Sequence, residues 1–216
     1  MANKAEKSAF VSRIWEAVQA QPSLYGLFPS VIIAQAALES AWGSSELSNH
    51  NNYFGVKASE TQYSPAWIPS KSRTVELPTK EYKNGKYITV MAKWRVYDNV
   101  TDSIRDRNAL VATNNRYADA RKAATPLDQI TAMKAGGYAT DPDYVSKIMA
   151  TINSNDLTKY DKLYQGSHSS VISEQPYGGR TQNKSKHPWL VVILVVLLLI
   201  GIVAFLSKTK KIKLIK

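Results

Sequence analysis

Hydrophobic residues recur at helical spacing in two segments near the start of the chain. The first segment carries its apolar residues between charged ones, which predicts an amphipathic helix rather than the continuous apolar stretch of a signal peptide. Its apolar residues are Phe10, Val11, Ile14, Trp15 and Val18. The second segment, residues 30–42, is apolar on nearly every side and stops at Gly43. This pattern predicts a buried central helix that ends at the glycine.

An alternating pattern follows in the middle of the chain. Residues 72–97 predict a β-hairpin around Asn84-Gly85, because this dipeptide favours the tight turn that joins two antiparallel strands. In the second strand, the positions on one face are Ile88, Val90, Ala92, Trp94 and Val96. The opposite face carries Tyr87, Thr89, Met91, Lys93 and Arg95. The alternation predicts that these two sets of side chains lie on opposite faces of the strand.

Helical spacing returns after the hairpin. Ile104, Leu110 and Val111 belong to one predicted helix, and Ile130 and Met133 belong to the next. A third is expected to begin with Asp141 as its N-cap and Pro142 at its first helical position. It would bury Val145, Ile148, Met149 and Ile152. Residues 1–165 are therefore predicted to form one α+β domain, mostly helical, with a small β-hairpin lobe.

The C-terminal quarter of the chain has a different composition. Residues 166–187 are rich in Ser, Gly, Gln, Asn and Lys and predict a flexible polar linker. Residues 189–206 contain no charged or polar side chain, which predicts a transmembrane helix at 188–207 in contact with the lipid bilayer. A buried core helix is the alternative, but few such helices are apolar on every face. Residues 208–216 form a basic tail.

The charge distribution narrows the possible partners. The formal net charge is +11, but residues 167–216 hold eight Lys or Arg against one acid, so the predicted domain is only mildly basic. An anionic wall or membrane surface explains this better than nucleic acid, which we do not expect as a partner. The chain has no cysteine and three separated histidines. This pattern argues against thiol chemistry, a Ser/His/Asp triad and a metal site.

Glu39 is the candidate catalytic residue within the predicted central helix. We expect burial and the negative end of the helix dipole to favour its neutral form and so to raise its pKa, as a general acid requires. Trp42, about one turn later, would provide an apolar neighbour or a face on which a sugar ring stacks. The alternative is a structural glutamate satisfied by an arginine or by backbone amides.

Five ordered motifs carry a resemblance to a known family. They are Ala-Leu-Glu-Ser-Ala-Trp-Gly (37–43), Asn-Tyr-Phe-Gly-Val-Lys (52–57), Thr-Lys-Glu-Tyr-Lys-Asn-Gly-Lys (79–86), Trp-Arg-Val-Tyr-Asp (94–98) and Gly-Gly-Tyr-Ala-Thr-Asp-Pro-Asp-Tyr (136–144). Over residues 8–155 the chain resembles the glucosaminidase domain of glycoside hydrolase family 73, which includes bacterial autolysins and the flagellar peptidoglycan hydrolase. Ala41 and Trp94 depart from the usual glycine and phenylalanine, and neither change removes a catalytic group.

The resemblance implies a lysozyme-like fold with a groove for a glycan strand and a site of three residues. By position, Glu39 matches the catalytic acid, Glu81 the second carboxylate on the β-lobe, and Tyr138 a tyrosine near the acid. Glu81 could instead be an ordinary exposed charge, with Glu76 as its nearest competitor, and Tyr138 could be a packing residue. Candidate substrate-binding residues are Trp42, Asn52, Phe54 and Lys57, the last three as groove floor and loop scaffold. Arg105 and Asp106 are expected on a solvated or ion-paired helix face.

The implied reaction is hydrolysis of the β-1,4 bond on the reducing side of N-acetylglucosamine in peptidoglycan, with no cofactor or metal. Glu39 would protonate the departing oxygen, and Glu81 would activate water or steady the acetamido group. A lytic transglycosylase, a non-catalytic peptidoglycan-binding protein and a membrane scaffold with a vestigial enzyme domain are the alternatives.

The expected location is a membrane, crossed once by the C-terminal helix. Five lysines follow the apolar segment and three basic residues closely precede it. This bias favours a cytoplasmic C-terminus and an enzyme domain on the cell-wall side. A tail-anchored arrangement with the domain inside is the alternative.

Overall fold

The computed structural model of the chain describes residues 2–59, 64, 66–68, 71–83 and 86–168. These residues form a helical body with one small antiparallel sheet, as the sequence predicts. The helices are α1 (Lys4–Gln19), α2 (Pro29–Glu39), α3 (Val100–Thr113), α4 (Ala118–Arg121), α5 (Pro126–Ala135), α6 (Tyr144–Ser154) and α7 (Thr158–His168). The strands are β1 (Thr74–Lys83) and β2 (Lys86–Arg95), and short 3-10 helices lie at Glu46–His50 and Asn115–Tyr117.

Helix α2 is the centre of the core, and it contacts α1, α5, α6 and α7. Every residue from Pro29 to Ala37 is buried, so its apolar character on all sides is explained by neighbours around its circumference. The predicted end at Gly43 is wrong, because α2 ends at Glu39. Ala41 and Trp42 have φ values of 49° and 60°, which lie outside the helical region. The Ser40 hydroxyl accepts a hydrogen bond from the Gly43 backbone N–H at 2.9 Å and secures this turn.

The predicted hairpin is confirmed in its strands. β1 and β2 pair antiparallel from Thr74 opposite Arg95 to Lys83 opposite Lys86. The turn at Asn84-Gly85 lies outside the described residues. Trp94 on one face of β2 is buried, whereas Met91 on the other face is 62% exposed.

Arg95 does not follow the alternation of its strand. Arg95 shares a face of β2 with the exposed Met91, yet it is fully buried. Its guanidinium lies 4.2 Å from the centre of the Trp67 ring and forms a salt bridge of 2.8 Å with Asp106 on α3. Asp106 is therefore ion-paired as expected but buried, whereas Arg105 pairs with Asp102 nearer the surface at 2.9 Å. Because Asp106 neutralises its charge, Arg95 can be buried at the end of β2 although the alternation of the strand places it with exposed residues.

The later helices differ from the prediction mainly at their ends. Helix α6 begins at Tyr144 with Asp143 as its N-cap, so the expected start at Asp141 and Pro142 is two residues too early. The Asp141 carboxylate accepts the Asp143 backbone N–H at 2.9 Å and thereby forms a turn ahead of the helix. Ile148 and Ile152 are buried as predicted. Val145 and Met149 are only half-buried.

Helix α7 continues to His168, past the predicted start of the linker at residue 166. No helix within the described part of the chain is long and apolar enough to cross a bilayer. The predicted transmembrane segment at 188–207, the rest of the linker and the basic tail lie outside the described residues.

Candidate active site

Glu39 lies where α2 ends, between two hollows in the surface of the helical body. One hollow, of about 310 Å³, also contains Phe54, Arg107, Arg116 and Tyr117. The other, of about 550 Å³, contains Leu38, Thr140, Asp141, Tyr144 and Lys147. Glu39, Gly137 and Tyr138 line both hollows, so the two adjoin at Glu39, and together they are called the groove below.

Glu39 is more exposed than the sequence predicts. The residue is exposed to the solvent of the groove, so the expectation of a fully buried carboxylate is wrong. The reason is the early end of the helix, which leaves the side chain at the rim of the core. The surrounding protein groups still remove much of its hydration and raise the pKa of the Glu39 carboxyl above its ordinary value. A hydrogen bond from Tyr144 opposes this and lowers the pKa.

A directed chain of hydrogen bonds leads from the core to Glu39. The Arg107 guanidinium donates to Gln35 Oε1, and an arginine can only donate, so the orientation of the Gln35 amide is fixed. Gln35 Nε2 then donates to the Tyr144 hydroxyl oxygen at 2.9 Å. The Tyr144 proton is left to be donated to Glu39 Oε1, at 3.0 Å. This series of hydrogen bonds therefore holds one carboxyl oxygen of Glu39 in a defined position.

Arg107 is a buried cation beneath this groove. It is 1% exposed, and its polar contacts include Gln35, the Asn108 side-chain oxygen at 3.0 Å and the Met133 sulfur at 3.7 Å. Its guanidinium carbon lies 5.9 Å from the centre of the Tyr138 ring. Among the described residues, no carboxylate forms a salt bridge with it. The positive charge therefore remains uncompensated on the floor of the groove.

Tyr138 follows the Gly136-Gly137 end of α5 and lies beside Glu39 in both hollows. Its ring packs against Tyr117 and Tyr144, with both pairs of ring centroids 6.1 Å apart. Loss of hydration raises the pKa of the Tyr138 hydroxyl, and the Arg107 charge lowers it by a smaller amount. The structure thus brings Tyr138 to the groove, where it both packs and lines the surface.

Glu81 occupies β1, where its backbone pairs with Ile88 of β2. The Glu81 side chain lies outside the described residues, so its approach to Glu39 stays a prediction. Its competitor Glu76, five positions earlier on the same strand, is exposed and lies 3.8 Å from Lys93 Nζ.

The four candidate substrate-binding residues lie in different surroundings. Phe54 is buried in the floor of the groove beside Glu39. Asn52 is a loop scaffold, because its side-chain amide donates to the Val56 and Arg95 carbonyls at 2.9 Å each. Lys57 is exposed, with its ammonium 5.5 Å from the centre of the Trp94 ring. Trp42 packs edge-on against Phe10, at 5.8 Å between centroids, and lines a separate hollow with Lys7.

Three residues of the site were missed from the sequence: Gln35, Arg107 and Tyr144. Gln35 carried a usable signal, since it is polar within the apolar helix and lies one turn before Glu39 on the same face. Tyr144 lay within the last family motif, but 105 positions separate it from Glu39. Arg107 looked like an ordinary charged helix residue. Across the described residues, no group of three or more His, Cys, Asp or Glu could hold a metal ion.

The chain is similar in sequence to several known proteins. The model of the glucosaminidase family, described as mannosyl-glycoprotein endo-beta-N-acetylglucosaminidase, matches residues 15–157. The exo-glucosaminidase LytG of Bacillus subtilis is 35% identical over 164 residues, which cover 73% of this chain and 55% of that protein. A probable N-acetylmuramidase of Lactococcus lactis subsp. cremoris is 35% identical over 161 residues, covering 71% of this chain and 35% of that protein.

A solved structure is similar to this chain in fold as well as in sequence. The catalytic domain of the autolysin Auto from Listeria monocytogenes aligns with a TM-score of 0.63 and 32% identity. The alignment covers 74% of this chain and 90% of that domain, so the fold match includes most of the helical body. The matched region corresponds to 55% of the LytG protein and 35% of the muramidase, whose further segments have no counterpart in the alignment.

Proposed function

The chain belongs to the glucosaminidase family of glycoside hydrolases, and from this premise we propose that it hydrolyses the glycan strands of peptidoglycan. The bond cleaved is the β-1,4 linkage on the reducing side of N-acetylglucosamine. The observation that carries the proposal is the position of Glu39 where the two hollows of an open groove adjoin, with a raised pKa and one carboxyl oxygen fixed by Tyr144.

Glu39 acts as the general acid. Because Tyr144 donates its proton to Oε1, the transferable proton of Glu39 belongs on Oε2, which is free to face the glycosidic oxygen. Oε2 gives this proton to the departing sugar oxygen as the bond to the anomeric carbon breaks. Glu81, on the β-lobe, takes a proton from a water molecule whose oxygen bonds to the anomeric carbon, or steadies the substrate's acetamido group while that group attacks the same carbon and water later displaces it. No cofactor takes part in this scheme.

The shape of the groove supports cleavage within a strand. Hollows of about 310 and 550 Å³ adjoin at Glu39, so there is room for more than one sugar unit beside the acid. A strictly exo-acting enzyme requires a blocked end close to its acid. We therefore favour the endo mode, although one relative of the chain is named as an exo-glucosaminidase.

Product analysis tests the proposal directly. Purified peptidoglycan is digested with the full chain, and the soluble fragments are reduced and identified by mass spectrometry. We expect fragments with N-acetylglucosamine at the new reducing end. Reducing N-acetylmuramic acid would change the linkage, anhydro sugars would indicate a lytic transglycosylase, and no release at all would indicate a non-catalytic wall-binding protein.

The role of Glu81 is tested against Glu76 on the same strand. Glu81→Gln is expected to lower turnover by about 10²–10⁴-fold, yet less than the same change at Glu39, because a base or stabiliser assists the acid step. Glu76→Gln serves as the matched control, since its partner Lys93 is also exposed. A larger loss at Glu76 would move the role to that residue. Unchanged turnover in both would leave it to the substrate's acetamido group.

We also propose that the chain is anchored in a membrane through residues 189–206, with the enzyme domain on the cell-wall side. The support is the uncharged apolar sequence and the excess of lysines after it. Protease added to intact spheroplasts should remove the enzyme domain. Full protection until the membrane is broken would place the domain inside and refute this topology.

A further inference from the structure

The two hollows beside Glu39 differ in charge. Of the described residues lining the smaller hollow, Arg107 and Arg116 are basic and Glu39 is the one acid. In the larger hollow, Lys147 is already paired with Asp141 at 2.6 Å between their charged atoms. The positive charge of the groove is therefore concentrated on the Arg116 side.

The chain holds Arg116 firmly at the edge of this hollow. Its guanidinium carbon lies 5.0 Å from the centre of the Tyr117 ring, and its backbone N–H donates to the Asn114 side chain at 3.2 Å. The segment can approach the end of α5 only because Gly136 has no side chain. A Cβ on Gly136 would lie 2.5 Å from the Arg116 carbonyl oxygen, which is a collision.

Arg116 is available to a ligand. Its residue is exposed, and no salt bridge pairs it with a carboxylate in the described ranges. Arg107 beneath it adds a second charge that also lacks a carboxylate, and its buried Nε has no hydrogen-bond partner there. Two cations without a salt bridge to a carboxylate among the described residues create a positive potential over this hollow. Such a potential favours a negatively charged group.

We propose that the smaller hollow is a subsite for the carboxylate-bearing substituent of a muramic sugar, with Arg116 as the residue that contacts it. This inference rests on the proposed function, because such substituents occur on alternate sugars of peptidoglycan. The carboxylate belongs either to the lactyl group of the sugar or to the peptide attached to it. Arg116 can donate the same charge-assisted hydrogen bonds to a carboxylate of either kind. The enzyme thereby distinguishes peptidoglycan from the neutral glycan chitin.

Binding to three tetrasaccharides tests the subsite without chemistry. The full chain carrying Glu39→Gln is titrated with a peptide-bearing peptidoglycan fragment, with the same fragment after removal of its peptides, and with chitotetraose. Arg116→Gln in this background should weaken binding of the acidic fragments by about threefold to tenfold and leave chitotetraose unaffected. The lactyl carboxyl is bound as an amide wherever a peptide is attached and is free only after the peptide is removed. A loss confined to the peptide-bearing fragment therefore assigns the contact to a peptide carboxylate, a loss confined to the peptide-free fragment assigns it to the lactyl carboxylate, and a loss with both means that Arg116 binds either one.

Lys122→Gln is the matched control, because it removes an equal charge from an exposed residue outside the two hollows. The selective loss should also shrink as salt is raised, since screening shortens the reach of the charge. Equal loss for all three glycans, no loss, or the same loss in Lys122→Gln overturns the subsite. If the parent chain releases no fragments from peptidoglycan, the proposed function fails and this inference fails with it.

Discussion

Two buried arginines, Arg95 and Arg107, have opposite surroundings. Arg95 meets both carboxylate oxygens of Asp106 at 2.8 and 2.9 Å, and the Tyr97 hydroxyl completes the cluster by donating to Asp106. Arg107 meets only neutral groups among the described residues, and its chain of hydrogen bonds ends at Glu39 in the open groove. The first network is closed and neutral, whereas the second is open and retains its charge.

The two networks have different roles, one in the stability of the fold and the other in catalysis. The Arg95 cluster joins the end of β2 to α3 and anchors the β-lobe to the helical body. It also raises the pKa of Tyr97, first through loss of hydration and then through the neighbouring Asp106 charge, so Tyr97 stays neutral. The Arg107 network instead sets the direction of a proton at the surface. We therefore expect changes in the first network to affect folding and changes in the second to affect turnover.

In the open network of Arg107, the substitution Glu39→Gln should lower turnover the most. The amide preserves the size of the side chain but has no proton to transfer, so turnover should fall by at least about 10⁴-fold, more than in Glu81→Gln. Because Glu39 is exposed, the free energy of unfolding should change by no more than about 0.5 kcal/mol. Peptidoglycan turnover and denaturant unfolding are measured on the same preparation. Glu46→Gln, another exposed carboxylate, is the control and should retain full activity.

The same substitution at the two arginines sharpens the comparison. Arg95→Met leaves Asp106 buried without its partner and should cost about 3–5 kcal/mol of unfolding free energy. Arg107→Met removes a charge without exposing an opposite one, so its cost should be at most about 1–3 kcal/mol from lost hydrogen bonds to Gln35 and Asn108. Urea unfolding gives both values. Equal costs would mean that the neutral partners of Arg107 compensate its charge as well as a carboxylate does.

The sequence predicted the features that depend on periodicity. The central helix, the two strands of the hairpin and the placement of Glu39 at the helix end follow from patterns within short segments. The length of α2 was overestimated because Ala41 and Trp42 are compatible with a helix by composition, and only the observed turn at Ser40 excludes it. The buried pair of Arg95 and Asp106 was missed because two charged residues have the same pattern in solvent and in a neutral pair.

The hydrogen bonds that define the site were harder to predict. Gln35, Glu39 and Tyr144 are joined across more than 100 positions, and nothing in local spacing requires that contact. The family motifs identified Tyr138, which lines the groove, while Tyr144 in the same motif is the residue that contacts the acid. Such contacts are set by how α6 packs against α2, which is a property of the fold.

The most direct test of the account is the pH dependence of kcat/KM in the parent and in Tyr144→Phe. Glu39 must be protonated to act, so activity falls as pH rises through its pKa, which loss of hydration holds above the ordinary value. Removing the Tyr144 hydroxyl removes the influence that lowers this pKa. The alkaline limb should therefore move to higher pH, with a loss of about tenfold at the optimum. Tyr160→Phe, which alters a ring packed on Trp15, should leave the limb in place. An alkaline limb that is unmoved in Tyr144→Phe, or that persists in the residual activity of Glu39→Gln, would contradict the assignment of Glu39 as the acid held by this network.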